Sequence, residues 1–164
     1  MLLEIFNISK NQISLVMDLQ KKCYSLDLIE NEDCFLHKIK IFPEGAVGAL
    51  VSKSLCGYIF FHPWNLDVQV PLNNTEYQLP LISDCIYIHD LAIDVNVRKT
   101  KIGFELISKA IGYGQVHGFV NYALTAVQNS ETYWERWGFT KKHTGTYGES
   151  RSTYMICKGM PKWR

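Results

Sequence analysis

The sequence predicts one α/β domain over residues 1–164, built on a mixed sheet. A length of 164 residues suits a single domain with a sizeable core. Hydrophobic residues make up 47% and charged residues 20% of the chain, as in ordinary globular proteins. Strand-like and helix-like segments follow one another in the order β-α-α-β-β-β-α-β-α-β-β, which describes strands and helices in one mixed α/β unit.

The first half of the chain supplies the elements that begin this order. Its apolar spacing predicts a strand, two helices and two further strands, at residues 2–8, 13–23, 31–40, 46–52 and 55–62. Only Lys53 and Ser54 separate the last two segments. A two-residue connector between apolar runs predicts an antiparallel hairpin.

The segment 63–83 has three prolines and no steady period. Its apolar side chains, Trp64 and Tyr77 among them, need a place to pack, so we expect an ordered loop. Loops of this length inside a compact domain are usually functional or disordered, and the apolar content favours a function.

The second half of the chain predicts a central strand, a long helix, a strand and a short helix, at residues 85–93, 102–117, 122–127 and 130–137. Gly118 and Gly138 follow the two helices, as glycines at helix ends commonly do. Residues 138–148 and 151–158 predict a closing pair of strands.

Charge and cysteine content exclude several classes of protein. The net charge of +1 gives no support for a nucleic-acid surface. The N-terminus lacks the pattern of a signal peptide, and no stretch has the roughly 20 apolar residues of a membrane span. Five scattered cysteines fit a reducing cytoplasm. Cys34 and His37 form a lone C-x-x-H pair, which is too few ligands for a zinc site, so we expect no metal.

The turn RKTKIGF, at residues 98–104, leads from the central strand into the long helix. Helix N-termini attract anions through free N–H groups and the helix dipole, and three basic residues add positive charge here. The turn matches neither the Walker nor the dinucleotide-binding glycine pattern. Taken alone, it is either an anion site or a solvated basic connector.

Two motifs resemble the GNAT superfamily of acetyl-CoA-dependent N-acetyltransferases. The first is this turn, with Arg98 and Gly103 in the first and last places of the family's R/Q-x-x-G-x-G/A loop and Lys101 in place of the middle glycine. The second is an apolar strand followed by Asn129, the run Tyr133-Trp134-Glu135 and the pair Gly138-Phe139. The resemblance spans nearly the whole chain, and its motifs cover residues 87–139.

The resemblance implies a mostly antiparallel sheet of about six or seven strands with about four helices. It also implies that acetyl-CoA is the co-substrate and lies along two segments. The first is the strand end Leu91, Ala92 and Ile93, and the second is the turn Arg98, Lys99, Thr100, Lys101, Ile102, Gly103 and Phe104. Asn129 and Trp134 complete the implied cofactor contacts.

Whether a lysine at position 101 fits the turn depends on its backbone φ angle. If the φ angle of Lys101 is negative, the side chain costs little and its ammonium can reach a phosphate. If that φ angle is positive, a strain of roughly 1 kcal/mol follows.

The resemblance implies direct attack of an amine on the thioester, which requires a base and an acid. His89 is the candidate base, since its ordinary pKa suits proton uptake near neutrality. Tyr133 is the candidate acid, with Tyr147, Tyr154 or water as alternatives. Strand alternation predicts that Asp90 faces away from His89.

Three residues are candidates for contact with the acceptor amine. They are Asp90, Tyr87 and, from the loop that could roof the acceptor site, Trp64.

We therefore expect a cytoplasmic N-acetyltransferase that acts on a small-molecule or protein amine, with no nucleic-acid or membrane partner. Self-association is common in this fold, so a homodimer is compatible with the sequence. One rival is a CoA-binding regulatory or scaffold protein with little or no turnover, which Lys101 and Trp134 favour. Another is an α/β binding module without CoA, in which a bulky residue at Gly103 would leave ligand binding unchanged.

Overall fold

The computed structural model describes residues 2–164 and has seven strands and four helices in the predicted order. The strands are β1 (Leu3–Asn7), β2 (Ala46–Val51), β3 (Ser54–Trp64), β4 (Cys85–Ile93), β5 (Asn121–Val127), β6 (Thr140–Tyr147) and β7 (Ser150–Lys158). The helices are α1 (Ile13–Cys23), α2 (Glu32–Ile41), α3 (Ile102–Val116) and α4 (Glu131–Glu135).

All seven strands belong to one sheet in the order β1-β2-β3-β4-β5-β7-β6. Neighbouring strands are antiparallel except β4 and β5, which are parallel. A parallel pair needs a crossover connection, and α3 provides it. The predicted fold class, a mixed and mostly antiparallel sheet with four helices, is confirmed.

The hydrophobic core lies on both faces of the sheet. On one face, Leu106 and Ile107 of α3 pack against Ile86 and Ile88 of β4. On the other face, α1 and α2 cover the side chains of Tyr58 and Phe60. Because β4 is covered on both sides, side chains on both of its faces are buried. The apolar run in the sequence predicts this burial.

The β2–β3 hairpin turns one residue earlier than the sequence predicted. Val51 pairs with Ser54, so the two turn residues are Ser52 and Lys53 rather than Lys53 and Ser54. Both have positive φ angles, of 50° and 66°. Such angles are typical of the tight hairpin turns that match strand twist. They usually occur at glycine or asparagine, so Ser52 and Lys53 carry no clear turn signal.

The segment between β3 and β4 is an ordered loop, as expected. Val70 is fully buried and Tyr77 is nearly so. The indole N–H of Trp64 donates to the carbonyl oxygen of Val68, and the Asp84 carboxylate accepts from the Leu66 N–H. Among residues 2–164, no helix is long and apolar enough to cross a membrane.

Candidate active site

A cleft opens where β4 and β5 part from each other. The two strands pair only from Ile86 to Ile88 against Tyr122 to Leu124. Beyond that point β4 continues to Ile93 and β5 to Val127 without pairing to each other. A cavity of about 1100 Å³ occupies the gap between the two strands. Backbone groups of β4 that face the gap are therefore available to an extended ligand.

A β-bulge at His89 brings two polar side chains to the same face of β4. Phe60 of β3 lies opposite Asp90, and Phe61 lies opposite Ile88, so His89 is the extra residue. A bulge interrupts the alternation of side chains. The prediction that Asp90 faces away from His89 is therefore wrong, and both residues line the cavity.

Asp90 is held by two tyrosine hydroxyl groups. Tyr24, just after α1, lies with Oη 2.6 Å from Asp90 Oδ1, and Tyr58 Oη lies 3.2 Å from Asp90 Oδ2. Burial raises the pKa of the Asp90 carboxyl to about 6, and the charge of Lys38 opposes part of that rise. The carboxyl group thus changes its protonation state close to neutral pH.

His89 is neutral at pH 7. Its side chain is only 2% exposed, and burial lowers its pKa well below the ordinary value, with a smaller effect from the Lys38 charge. The Tyr147 hydroxyl lies 3.4 Å from His89 Nε2, which is a long contact. His89 is therefore an uncharged imidazole at the cavity, and its lowered pKa makes it a weaker base than an ordinary histidine.

A buried ion pair supports the end of the cavity near His89. Lys38 Nζ pairs with Glu30 Oε1, and Glu30 Oε1 lies 3.8 Å from His89 Nε2. The other carboxylate oxygen of Glu30 accepts from the backbone N–H of Asn73. Since Lys38 is engaged with Glu30, the carboxyl of Asp90 has hydroxyl partners rather than a cation beside it.

The basic turn borders the other end of the cavity. Lys101 has φ −74° and ψ −3°, so its side chain is accommodated without strain. The residue with a positive φ angle is Lys99, at 69°. Helix α3 then begins at Ile102, and its early N–H groups have no acceptor inside the helix.

Gly103 lies in a narrow place at the start of α3. A Cβ atom on Gly103 would come within 2.7 Å of Ile93 Cδ1 and 2.9 Å of Tyr133 Oη. The hydroxyl of Tyr133 therefore lies over the first turn of α3. Burial raises the pKa of the Tyr133 phenol, so the group keeps its proton at neutral pH.

Most of the predicted site residues line the cavity. They are His89, Asp90, Leu91, Ala92, Ile93, Arg98, Lys99, Thr100, Lys101, Gly103, Phe104, Tyr133 and Trp134. The structure places four others elsewhere. Ile102 packs in the core with 2% exposure, and Asn129 is exposed outside the cavity. Trp64 and Tyr87 lie behind the cavity wall, with the Tyr87 ring 5.8 Å from that of His89.

The sequence did not point to several residues that line the cavity, and four of them bear on the site. They are Tyr24, Gln128, Glu30 and Trp163. Gln128 ties the segment after α1 to the end of β5, because its side chain bonds the Ser25 N–H and the Cys23 carbonyl. None of these residues belongs to a local motif. Only the adjacent polar pair His89-Asp90, inside an apolar strand, signalled the bulge.

Two segments meet at the end of the cavity near His89. The Ser150 hydroxyl donates to Asp27 Oδ2 at 2.6 Å, which joins the turn between β6 and β7 to the segment between α1 and α2. A Cβ atom on Gly148 would come within 2.5 Å of the Asp27 carbonyl oxygen, so these backbones are in close contact. Leu28 and Leu72 add apolar surface to this end.

His62 should make stability depend on pH. The side chain is buried, and burial lowers its pKa to about 4. As pH falls through 6.5, the unfolded chain takes up a proton that the folded chain refuses, so His62 costs stability in acid. We expect the difference in unfolding free energy between His62→Phe and wild type to shift by about 2 kcal/mol in favour of the variant from pH 7.5 to 5.

Urea unfolding of both proteins at the two pH values measures this shift. His143→Phe, on the exposed strand β6, is the matched control and should show a much smaller change. A difference for His62→Phe that stays constant with pH would mean that His62 has the same pKa in the folded and the unfolded protein.

Comparisons with known proteins agree with this architecture. The profile of the acetyltransferase (GNAT) family matches residues 13–139. An uncharacterized N-acetyltransferase of Bacillus subtilis (strain 168), YkwB, is 26% identical, with 79% of this chain and 69% of the relative covered.

Two solved structures share the fold. The loading GNATL domain of CurA from Lyngbya majuscula has a TM-score of 0.81 at 10% identity, with 96% of this chain and 98% of that one covered. The PaiA N-acetyltransferase from Thermoplasma acidophilum, in complex with coenzyme A, has a TM-score of 0.71 at 16% identity, with coverage of 96% and 99%.

Proposed function

Because the chain belongs to the acetyltransferase (GNAT) family, we propose that it transfers an acetyl group from acetyl-CoA to a primary amine. The amine, of a small molecule or a protein, attacks directly while both substrates are bound. The observation that carries the proposal is one cavity that joins the basic turn before α3 to the His89–Asp90 bulge. A phosphate-binding end and a proton-transfer end thus lie in the same cleft.

The turn suits the pyrophosphate of acetyl-CoA. Gly103 leaves space beside Tyr133, and the amides at the start of α3 point N–H groups out of the helix. Arg98 and Lys101 add positive charge, and both line the cavity. At Leu91–Ile93, β4 pairs with β3 but not with β5, so its edge towards β5 offers backbone groups to the pantetheine arm.

The opposite end suits an amine. The carboxyl groups of Glu30 and Asp90 and the ring of His89 line the cavity, and all three can accept hydrogen bonds from an ammonium group. Acetyl-CoA supplies an acetyl group activated as a thioester. His89 takes a proton from the ammonium and so prepares the nitrogen for attack.

Three phenols line the cavity and could protonate the leaving sulfur: Tyr133, Tyr24 and Tyr147, the last with its hydroxyl 3.4 Å from His89 Nε2. Tyr133, the candidate from the sequence, lies over Gly103 at the turn. Tyr24 lies beside Leu91 of β4, with Oη 2.7 Å from the Leu91 carbonyl oxygen.

Replacing Lys101 by glycine tests whether the lysine obstructs the turn. Because Lys101 has a negative φ angle, glycine relieves no strain and removes a positive charge. We expect Lys101→Gly to weaken acetyl-CoA binding by roughly 2- to 10-fold, in the range of one charge-assisted contact. Calorimetric titration measures it, and tighter binding by the variant would contradict the account.

Titration of the wild-type protein with acetyl-CoA and with CoA tests the cofactor itself. Micromolar binding, or about −8 kcal/mol, is expected. Absence of binding would remove both the acetyltransferase proposal and the CoA-binding scaffold rival.

The five free cysteines support the expected reducing, cytoplasmic setting.

A further inference from the structure

The hydroxyl of Tyr24 has more short contacts than its single proton can satisfy. Tyr24 Oη lies 2.6 Å from Asp90 Oδ1 and 2.7 Å from the carbonyl oxygen of Leu91. Both lengths are those of full O–H···O hydrogen bonds. A carbonyl oxygen only accepts, and an ionised carboxylate also only accepts. Two full bonds therefore need two protons, of which Tyr24 carries one.

We propose that Asp90 holds the second proton, and that Asp90 and Tyr24 form a relay that carries a proton from the attacking nitrogen to the leaving sulfur. In the protonated form of the free protein, Asp90 Oδ1–H donates to Tyr24 Oη, and Tyr24 Oη–H donates to the Leu91 carbonyl. The inference rests on the proposed acetyl transfer for its catalytic part. The shared proton itself is a property of the free protein.

Burial increases the protonated fraction of Asp90 near neutral pH. Burial raises its pKa to about 6, so the carboxyl binds its proton more tightly than an ordinary aspartate. Among residues 2–164, Lys38 is the cation whose charge acts on this carboxyl, and it is paired with Glu30. Other ionisable groups face the Asp90 carboxyl from the elements packed around it. They are Cys23 at the end of α1, Tyr24 just after α1, Glu30, Lys38 of α2, Tyr58 of β3, His89 of β4 and Tyr147 of β6.

The position of the pair suits such a relay. Both side chains line the cavity, and Tyr24 touches the segment of β4 proposed to hold the pantetheine arm. The Asp90 carboxyl follows His89 directly in the bulge, where the amine would be activated. One group thus lies towards the thioester and the other towards the nucleophile.

With this pair, every proton transferred in the reaction has a donor and an acceptor. His89 accepts the first proton of the ammonium and passes it to solvent. As the nitrogen–carbon bond forms and the carbon–sulfur bond breaks, Tyr24 Oη gives its proton to the sulfur. Asp90 Oδ1 reprotonates Tyr24, and Asp90 takes the second proton from the nitrogen. The products are an amide and a thiol, and both side chains regain their starting state.

Carbon-13 NMR of protein labelled at aspartate Cγ tests the shared proton without any substrate. The Asp90→Asn variant identifies the Asp90 resonance. If Tyr24 mainly accepts from Asp90, Tyr24→Phe should remove a stabiliser of the neutral acid and lower the Asp90 midpoint by roughly one pH unit. Tyr58 only donates to Asp90, so Tyr58→Phe, the matched control, should raise the midpoint. A rise with Tyr24→Phe as well would overturn the proposal.

The kinetic arm tests the relay. Tyr24→Phe should lower kcat by about 100-fold, leave the Kd of acetyl-CoA within about threefold, and affect kcat more than Tyr133→Phe. A midpoint that falls as expected with an unchanged kcat would keep the shared proton and overturn the relay. If the wild type acetylates no amine, the acetyl-transfer proposal fails, and the NMR result still decides whether Asp90 and Tyr24 share a proton.

Discussion

Replacing Gly103 by leucine is expected to abolish acetyl-CoA binding at the concentrations that saturate the wild type. A Cβ at this position already comes within 2.7 Å of Ile93 Cδ1 and 2.9 Å of Tyr133 Oη. Long side chains on a helix lean towards its N-terminus, so the leucine would lie over the turn 98–102. The Kd should rise by about 100-fold or more, or ~3 kcal/mol, in calorimetric titration.

Gly112→Leu is the matched control for this variant. Gly112 belongs to the same helix, and a Cβ there meets no atom within 4 Å. We expect unchanged acetyl-CoA binding and a gain in unfolding free energy of about 0.5–1 kcal/mol, since glycine is a poor helix former. Unchanged binding in Gly103→Leu would contradict the placement of the cofactor and would favour a binding module without CoA.

Replacing His89 by glutamine should lower kcat at pH 7 by about 100- to 10,000-fold, the usual contribution of a general base. Burial keeps the pKa of His89 well below its ordinary value, so the wild-type side chain is unprotonated at neutral pH and can accept a proton. Glutamine keeps a polar side chain of similar length without this basicity. The Kd of acetyl-CoA should change little, because the turn lies at the other end of the cavity.

The pH dependence identifies the role of His89. The deficit of His89→Gln should shrink as pH rises, because more of the amine is already unprotonated in solution. His143→Gln, on an exposed face of β6, is the control and should match the wild type at every pH. A deficit that stays constant with pH would indicate that His89 positions groups and does not take up the proton.

The sequence predicted the elements well where apolar periodicity is strong. The central strand at residues 85–93 and the long helix after it coincide with β4 and with α3 to within one residue. Both have apolar stripes of sufficient length, and the β4 strand is buried on both faces. The resemblance also placed the turn 98–104 beside the cavity, where all of its residues except Ile102 lie.

The site depended on two features that periodicity does not reveal. The bulge at His89 arises from the pairing of β3 with β4, and a single sequence shows it only as two adjacent polar residues. The contact between Tyr24 and Asp90 joins residues 66 positions apart. No local spacing rule predicts such a pair, because the fold of the whole sheet brings it together.

The backbone settled the question of Lys101. Its negative φ angle removes the expected strain, and the positive angle falls on Lys99 instead. The departure from the family's glycine pattern is therefore no reason to infer a closed site. Trp134 lines the cavity and is 6% exposed, as part of the wall beside Tyr133.

The release of free CoA thiol from acetyl-CoA, measured with a panel of primary amines and N-terminal peptides, tests the central proposal most directly. We expect amine-dependent thiol release for at least one class of acceptor, with an equal amount of N-acetylated product by mass spectrometry. Both should be lost in His89→Gln. Micromolar acetyl-CoA binding with no thiol release above the amine-free rate for any acceptor would contradict it, and the chain would then be a CoA-binding protein without acetyl transfer.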